Sequence, residues 1–120
     1  MTVTPTEIRL RKQSRTLAVT FDDGEIFEFS AEFLRVHSPS AEVRGHGPGQ
    51  EILQTGKEAV AITAVEPVGL YAVRLFFDDG HSTGLYRWDY LHDLGANQGM
   101  YWQQYLDRLA AAGYARRSPD

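Results

Sequence analysis

One motif, used twice, constrains this chain more than any other feature. Leu17, Val19 and Phe21 alternate with other residues up to Asp22-Asp23-Gly24, after which Phe27 and Phe29 resume the alternation. Val73, Leu75 and Phe77 lead in the same way into Asp78-Asp79-Gly80, followed by His81, Thr83 and Leu85. Alternation on both sides of an Asp-Gly pair signals a β-hairpin, because a period of two puts every second side chain on one face. The same face decides the loop length. A two-residue Asp23-Gly24 turn would pair Val19 with Glu28 and split the apolar side chains between faces. A three-residue Asp22-Asp23-Gly24 loop pairs Val19 with Phe27 and Leu17 with Phe29, with Gly24 left-handed. The three-residue register is expected in both copies, which puts His81 and Leu85 on the face of Leu75 and Phe77.

Laid over each other, TLAVTFDDGEIFEFSAEFL and YAVRLFFDDGHSTGLYRWDYL match with one extra residue before Leu91. Each closes on an acidic-aromatic-leucine run, Glu32-Phe33-Leu34 and Asp89-Tyr90-Leu91, read as one helical turn tucked under the sheet. Two short copies make an internal pseudo-repeat and not a solenoid. Ile8 and Leu10, among charged neighbours, predict a first strand with one wet face. Residues 59–65 predict another, with Val60, Ile62 and Ala64 on one face, broken by Glu66-Pro67-Val68-Gly69. Asn97 is expected to cap a helix from Gln98 to about Ala112, stopped by Gly113. Tyr101, Trp102, Tyr105, Leu106, Leu109 and Ala110 form its apolar stripe, which is read as core. The expected fold is α+β: a small, mostly antiparallel sheet with two pseudo-repeated hairpins, covered by a C-terminal helix. The 120 residues suit one domain over 7–113, with a disordered lead-in at 1–6 and a flexible tail at 114–120.

Leu34 to Gln50 has neither helical nor strand periodicity and contains two of the four histidines, two prolines and alternating glycines. It is expected to be a loop, and long ordered loops in compact domains are usually functional. Its polar residues, beside the second hairpin, form the candidate binding surface: Arg35, His37, Ser38, Pro39, Ser40, Arg44 and His46, together with Trp88.

Chemistry is constrained mostly by exclusion. The chain has no cysteine, so disulfides, thiolate nucleophiles and cysteine-based metal sites are excluded. Sixteen acidic against twelve basic residues give a net charge of −4, which argues against a general affinity for nucleic acid or anionic membrane. No apolar leader or long apolar run is present, so a cytoplasmic protein with no membrane contact is expected. Gly56-Lys57 is followed by Glu58, which defeats a phosphate loop. No histidine is followed at the second position by a carboxylate, as the iron-binding facial triad commonly requires. A Ser-His-Asp arrangement drawn from His37 or His46 with Ser38 or Ser40 lacks a nucleophile elbow. The Asp pairs at the hairpin ends are explained by turn chemistry. No catalytic residue is therefore assigned and the chain is read as a non-enzyme. His81 remains as a hairpin-end imidazole or a ligand.

The stretch Glu66-Pro67-Val68-Gly69, Tyr71-Ala72-Val73, Phe77-Asp78-Asp79-Gly80-His81, Gly84-Leu85-Tyr86, Trp88 and Tyr90-Leu91 resembles the signature of the DUF971 family. That family is also described as the gamma-butyrobetaine hydroxylase-like N-terminal domain. Leu34-Arg35 and Ser38-Pro39-Ser40-Ala41 fit the same pattern, and the likeness spans roughly residues 7 to 95. The resemblance implies a domain that occurs alone in bacteria, precedes the catalytic domain of gamma-butyrobetaine-type dioxygenases, or is attached to iron–sulfur carrier ATPases. In the dioxygenases it implies a structural zinc on three cysteines and a histidine. The histidine corresponds to His81, but the cysteine positions are Ser38, Ser40 and Val43, so no zinc and no other cofactor is expected. The function implied is a non-catalytic binding or adaptor module for a protein partner, such as an iron–sulfur carrier ATPase or a dioxygenase-type enzyme. The alternative is a zinc- or iron-binding protein linked to iron–sulfur assembly, with His81 as ligand and His37 or His46 beside it.

Overall fold

The computed structural model describes residues 3–45 and 51–117. Its elements run β1 (Pro5–Arg11), β2 (Thr16–Phe21), β3 (Ile26–Ser30), α1 (Ala31–Val36), α2 (Ala41–Arg44), β4 (Ile62–Val68), β5 (Ala72–Phe77), β6 (Leu85–Arg87), α3 (Trp88–Ala96) and α4 (Gln98–Ala111). The strands form two three-stranded antiparallel sheets, β1-β2-β3 and β4-β5-β6, in place of one sheet. The α+β architecture is as expected. Leu17, Val19 and Phe29 of the first sheet and Val73 and Leu75 of the second share one core with Phe33, Leu34, Tyr86, Leu91 and Leu94.

The first hairpin has the three-residue loop. Val19 pairs with Phe27 and Leu17 with Phe29, the Phe21 amide donates to the Glu25 carbonyl at 2.9 Å, and Gly24 has φ 88°. The second turn matches it, with Phe77 N–H on the His81 carbonyl at 3.0 Å and Gly80 at φ 89°. The two aspartates of each turn have separate tasks. Asp22 and Asp78 accept the amides of Thr4 and Ala61, the residues just before β1 and β4. Asp23 and Asp79 accept the amides of Glu25 and His81, which closes the turn. The repeat is therefore larger than a hairpin and a turn. Each copy is a three-stranded meander followed by a helix. The first amide of each helix donates to an equivalent carbonyl, Ala31 to Arg15 and Trp88 to Tyr71.

Several expectations fail for local reasons. After His81 the second hairpin gains one residue, so Val73 pairs with Tyr86 and Arg74 with Leu85. Tyr86 takes the buried face in place of Leu85, because a shift of one residue exchanges the faces of a strand. A register shift between Ile62 and Ala64 likewise leaves Ala64 exposed and turns Val65 toward the core. The strand does not break at Glu66-Pro67-Val68, since β4 is an edge strand, where proline is tolerated. Residues 34–36 and 41–44 of the expected loop are helical, in α1 and α2. Ser30 and Ser40 cap these helices by accepting the amides of Phe33 and Glu42. The turn expected at Asp89-Tyr90-Leu91 belongs to the nine-residue α3. Asn97 does not cap α4 with its side chain, which bonds back to Asp93.

The ends are tied down more than expected. β1 begins at Pro5, within the expected lead-in. Helix α4 stops at Gly113 (φ 73°), where amides 113 and 114 return to the carbonyls of Ala110 and Leu109, the double bond of a Schellman stop. That turn sends Tyr114 and Arg116 back onto Glu58 and Glu32.

Gly95 of α3 is where the two copies press together. An added Cβ would lie 2.3 Å from Cγ of Phe27. Gly→Ala in a helix interior ordinarily stabilises by about 1 kcal/mol. Here Gly95→Ala is expected to destabilise by about 1–3 kcal/mol through overpacking, read as a lower urea midpoint. An unchanged or higher midpoint would contradict the contact.

Candidate functional site

The two copies clasp each other through equivalent residues. Arg35, one residue after Leu34, sends Nε to Asp79 Oδ2 at 2.9 Å. His92, one residue after Leu91, places Nε2 2.7 Å from Asp23 Oδ2. Each helix thus reaches the second aspartate of the other copy's turn. The Arg35 bond is the buried one, and Lys57 and Gln54 complete it, at 2.7 Å to Asp79 and 3.2 Å from Arg35. Burial opposes the ionisation of Asp79, but hydrogen bonds from Lys57, the His81 amide and Arg35 outweigh it and hold the carboxyl at about 2.

From this clasp the chain runs through His37 into Ser38-Pro39-Ser40, which lie against residues 81–84. Ser38 Oγ is 2.8 Å from His81 Nε2, and His81 Nδ1 is 3.1 Å from Glu42 Oε2. A carboxylate only accepts, so Nδ1 carries the proton, Nε2 is the acceptor and the Ser38 hydroxyl donates to it. Ser40 and Thr83 hydroxyls meet at 2.8 Å. The approach requires Gly84, because a Cβ there would lie 2.2 Å from Ser38 Oγ.

Serine to imidazole to carboxylate is the order of a hydrolytic triad, but access is reversed. Ser38 is 1% exposed, while the Glu42 side chain at the far end is 66% exposed. A nucleophile must meet a substrate carbon, and this hydroxyl meets only protein. The same geometry tests the zinc that the resemblance implies. Tetrahedral zinc would hold an oxygen and a nitrogen ligand roughly 3.5 Å apart, whereas Ser38 and His81 are in direct hydrogen bond. Two neutral hydroxyls, an imidazole and Val43 do not make a zinc donor set. The residues do not fit the metal.

His37 is not drawn to His81. Its Nδ1 is 2.8 Å from the Phe33 carbonyl, and its ring lies against Phe33 and Tyr101, with centroids 4.4 and 5.6 Å away. Among the described residues no group of three His, Cys, Asp or Glu side chains could hold a metal ion. His46 lies outside the described residues.

Beyond His37 opens a groove of about 900 Å³. Its walls come from the end of α1, from α2, from residues 51–54, from Tyr90, and from Tyr101, Gln104, Tyr105 and Arg108 of α4. Arg44 lies over the Tyr90 ring, 4.9 Å from its centroid, and Arg108 donates to the Glu51 carbonyl at 3.1 Å. Arg44 and Tyr90 also line a smaller adjoining hollow with Pro39. Of the expected surface residues, His37, Ser38 and Arg44 line the groove. Arg35 and Ser40 are buried in internal bonds. Trp88 bonds to the Leu70 carbonyl and does not line the groove. The groove residues outside the loop, residues 51–54, Tyr90, and Tyr101, Gln104, Tyr105 and Arg108 of α4, are absent from the sequence-based surface. Helical spacing alone gave no signal that this part of α4 faces the loop.

Burial pushes the His37 pKa down, against the pull of the Phe33 carbonyl. Burial also lowers His81, helped by the Arg35 charge and opposed by Glu42. Both imidazoles take up protons less readily folded than unfolded, so the unfolded chain gains protons first as the medium acidifies. Stability is therefore full above about 6.5 and falls as pH drops below it. The Asp79 contribution is retained below that range and fades only as pH falls from about 4 toward 2. Thermal melts between pH 7.5 and 5 are expected to show the first loss, and a flat profile would contradict it. Ser38→Ala leaves Nε2 of His81 without its donor and is expected to cost about 1–3 kcal/mol, measured by urea unfolding at pH 7.5.

Comparisons with known proteins agree with this architecture. The profile of the family described as gamma-butyrobetaine hydroxylase-like, N-terminal, matches residues 8–92. Two proteins solved in solution by NMR are 48% and 51% identical, with TM-scores of 0.84 and 0.83. This chain is covered over 100% and 98% of its length, and theirs over 94% and 87%. A crystal structure of a DUF971-family protein of unknown function from Acidithiobacillus ferrooxidans is 43% identical, with a TM-score of 0.66, over 78% of this chain and 93% of that one. No curated protein matches. With most of its length matched by one profile and its fold shared with a solved member, the chain belongs to the gamma-butyrobetaine hydroxylase-like N-terminal (DUF971) family.

Proposed function

We propose that this domain is a non-catalytic binding module, acting in the cytoplasm, whose working surface is the groove between α2 and α4. The observation that carries the reading is the lining itself. Two arginines from different elements, Arg44 and Arg108, stand beside tyrosines and His37 in an open cleft of about 900 Å³. Arginine and aromatic side chains dominate binding energy at protein interfaces, because they combine large contact area with directional bonds. The partner this suits is a protein segment with acidic and apolar side chains. Candidate carriers of such a segment are an iron–sulfur carrier ATPase or a dioxygenase-type enzyme, proteins of the kind to which domains of this family are attached. The buried, inaccessible Ser38 hydroxyl favours this over a hydrolytic role. A metal-binding role at His81 finds less support, since both of its ring nitrogens already have partners.

Affinity capture with each of these two candidate partners tests the reading. Arg44→Glu and Arg108→Glu are each expected to weaken capture at least about tenfold, as loss of an interface hot spot does, with little change in melting temperature. Capture unaffected by both substitutions would overturn it. In parallel, melting with and without EDTA is expected to give the same midpoint. A lower midpoint after chelation, with about one equivalent of zinc in the untreated protein, would restore the metal reading.

A further inference from the structure

The carboxylate of Glu32 lies in the first turn of α1 with its side chain only 4% exposed. Within the folded elements its partner is the Tyr105 hydroxyl, which donates at 2.9 Å. Its countercharge comes from beyond the last helix. Arg116 delivers Nε at 2.8 Å to one oxygen and Nη2 at 2.5 Å to the other. This two-pronged contact matches a planar guanidinium and not an ammonium. The guanidinium carbon also stands 5.3 Å from the centre of the Trp102 ring, within range of a cation–π attraction. Trp102 is in turn placed by Tyr105 and Phe33, with ring centroids 5.2 and 6.4 Å away. Carboxylate, hydroxyl and indole all belong to α1 and α4. Only the cation belongs to the tail.

We propose that Glu32, Tyr105 and Trp102 form an arginine-binding site, held closed in cis by Arg116, which accepts the arginine side chain of a basic peptide in trans when the tail lifts away. The chain itself displays the chemistry of the ligand. A buried carboxylate left without a countercharge is costly, so the empty site is disfavoured and exchange replaces one guanidinium with another. The tail is suited to leaving. Its described residues, 114–117, carry no helix or strand, and the Arg116 side chain is 32% exposed. Its second anchor is Glu58, which accepts the Tyr114 hydroxyl and the Arg117 amide at 2.8 and 2.9 Å. A tethered group competes at an effective concentration on the order of millimolar, so the closed form prevails until a peptide with several contacts arrives. The site is separate from the Arg44–Arg108 lining, which favours anionic groups, although Tyr105 borders both.

Chemical rescue of Arg116→Ala provides the test. Guanidinium chloride at a few millimolar is expected to raise the melting temperature of this variant relative to equal sodium chloride, and to leave the wild type unchanged. N-acetyl-arginine amide is expected to bind the variant at least about tenfold more tightly than the wild type, as loss of a tethered competitor requires. Binding should shift the Trp102 indole N–H resonance, and N-acetyl-lysine amide should not reproduce the shift. Equal responses of variant and wild type, or of the arginine and lysine probes, would overturn the proposal. If Arg116→Ala does not fold, the wild type decides. An arginine-rich peptide at millimolar concentration should move the Arg116 Nε–H resonance to its solvent-exposed position, and an unmoved resonance would refute exchange.

Discussion

The bond between Arg35 and Asp79 organises the rest of the molecule. It joins the helix of the first copy to the turn of the second at the point where the guanidinium is almost fully withdrawn from water. Such a pair is stable only when its remaining donors and acceptors are also satisfied, and here Gln54, Lys57 and the His81 amide complete the set. Its position fixes the end of α1. That end fixes the path of Ser38 and Ser40 across residues 81–84, and the path sets the angle at which α2 faces α4. The groove is the space this geometry leaves. His92 and Asp23 make the equivalent contact from the other side, at the surface, with an imidazole in place of the guanidinium.

The crossing of residues 38–40 over 81–84 is where this chain departs most from what its family resemblance implies. Of the three positions that the resemblance matches to thiolates, two carry hydroxyls and the third is Val43, and the His81 imidazole accepts a hydrogen bond from Ser38 instead of holding a metal. The replacement is local and complete: Ser38 serves His81, Ser40 serves Thr83, and Gly84 gives them room. The crossing supports one wall of the groove, where Ser38 is the crossing residue that lines it.

Hairpins were legible because a period of two and an Asp-Gly signal are short-range properties, and the pairing of Val19 with Phe27 needed nothing else. The equivalence of Arg35 and His92 was also latent in the two copies laid over each other, each being the residue after the leucine that both copies share, Leu34 and Leu91. Their partners were not legible, because only the assembled fold shows which aspartate of each pair turns inward. The faces of Leu85 and Ala64 were misjudged for one reason, an added residue that alternation cannot reveal. The helix at Ala41–Arg44 was missed because four residues give no periodicity, although Ser40 ahead of them is a helix cap. Glu32 and Glu58 were silent in sequence, since their partners lie 56 to 84 residues away.

The added residue after His81 has a consequence for how the chain reaches its fold. Two nearby hairpins with the same Phe-Asp-Asp-Gly turn invite exchange, in which a strand of one copy pairs with a strand of the other while the chain is still partly open. The two copies do not keep the same count from turn to helix. A strand exchanged between them would present Leu85 where Tyr86 belongs, and the Tyr86 hydroxyl would lose the Leu34 carbonyl it reaches at 2.5 Å. Mispaired forms therefore forfeit a buried aromatic and its hydrogen bond together. The duplication supplies two similar modules, and the single inserted residue makes them non-interchangeable partners during folding.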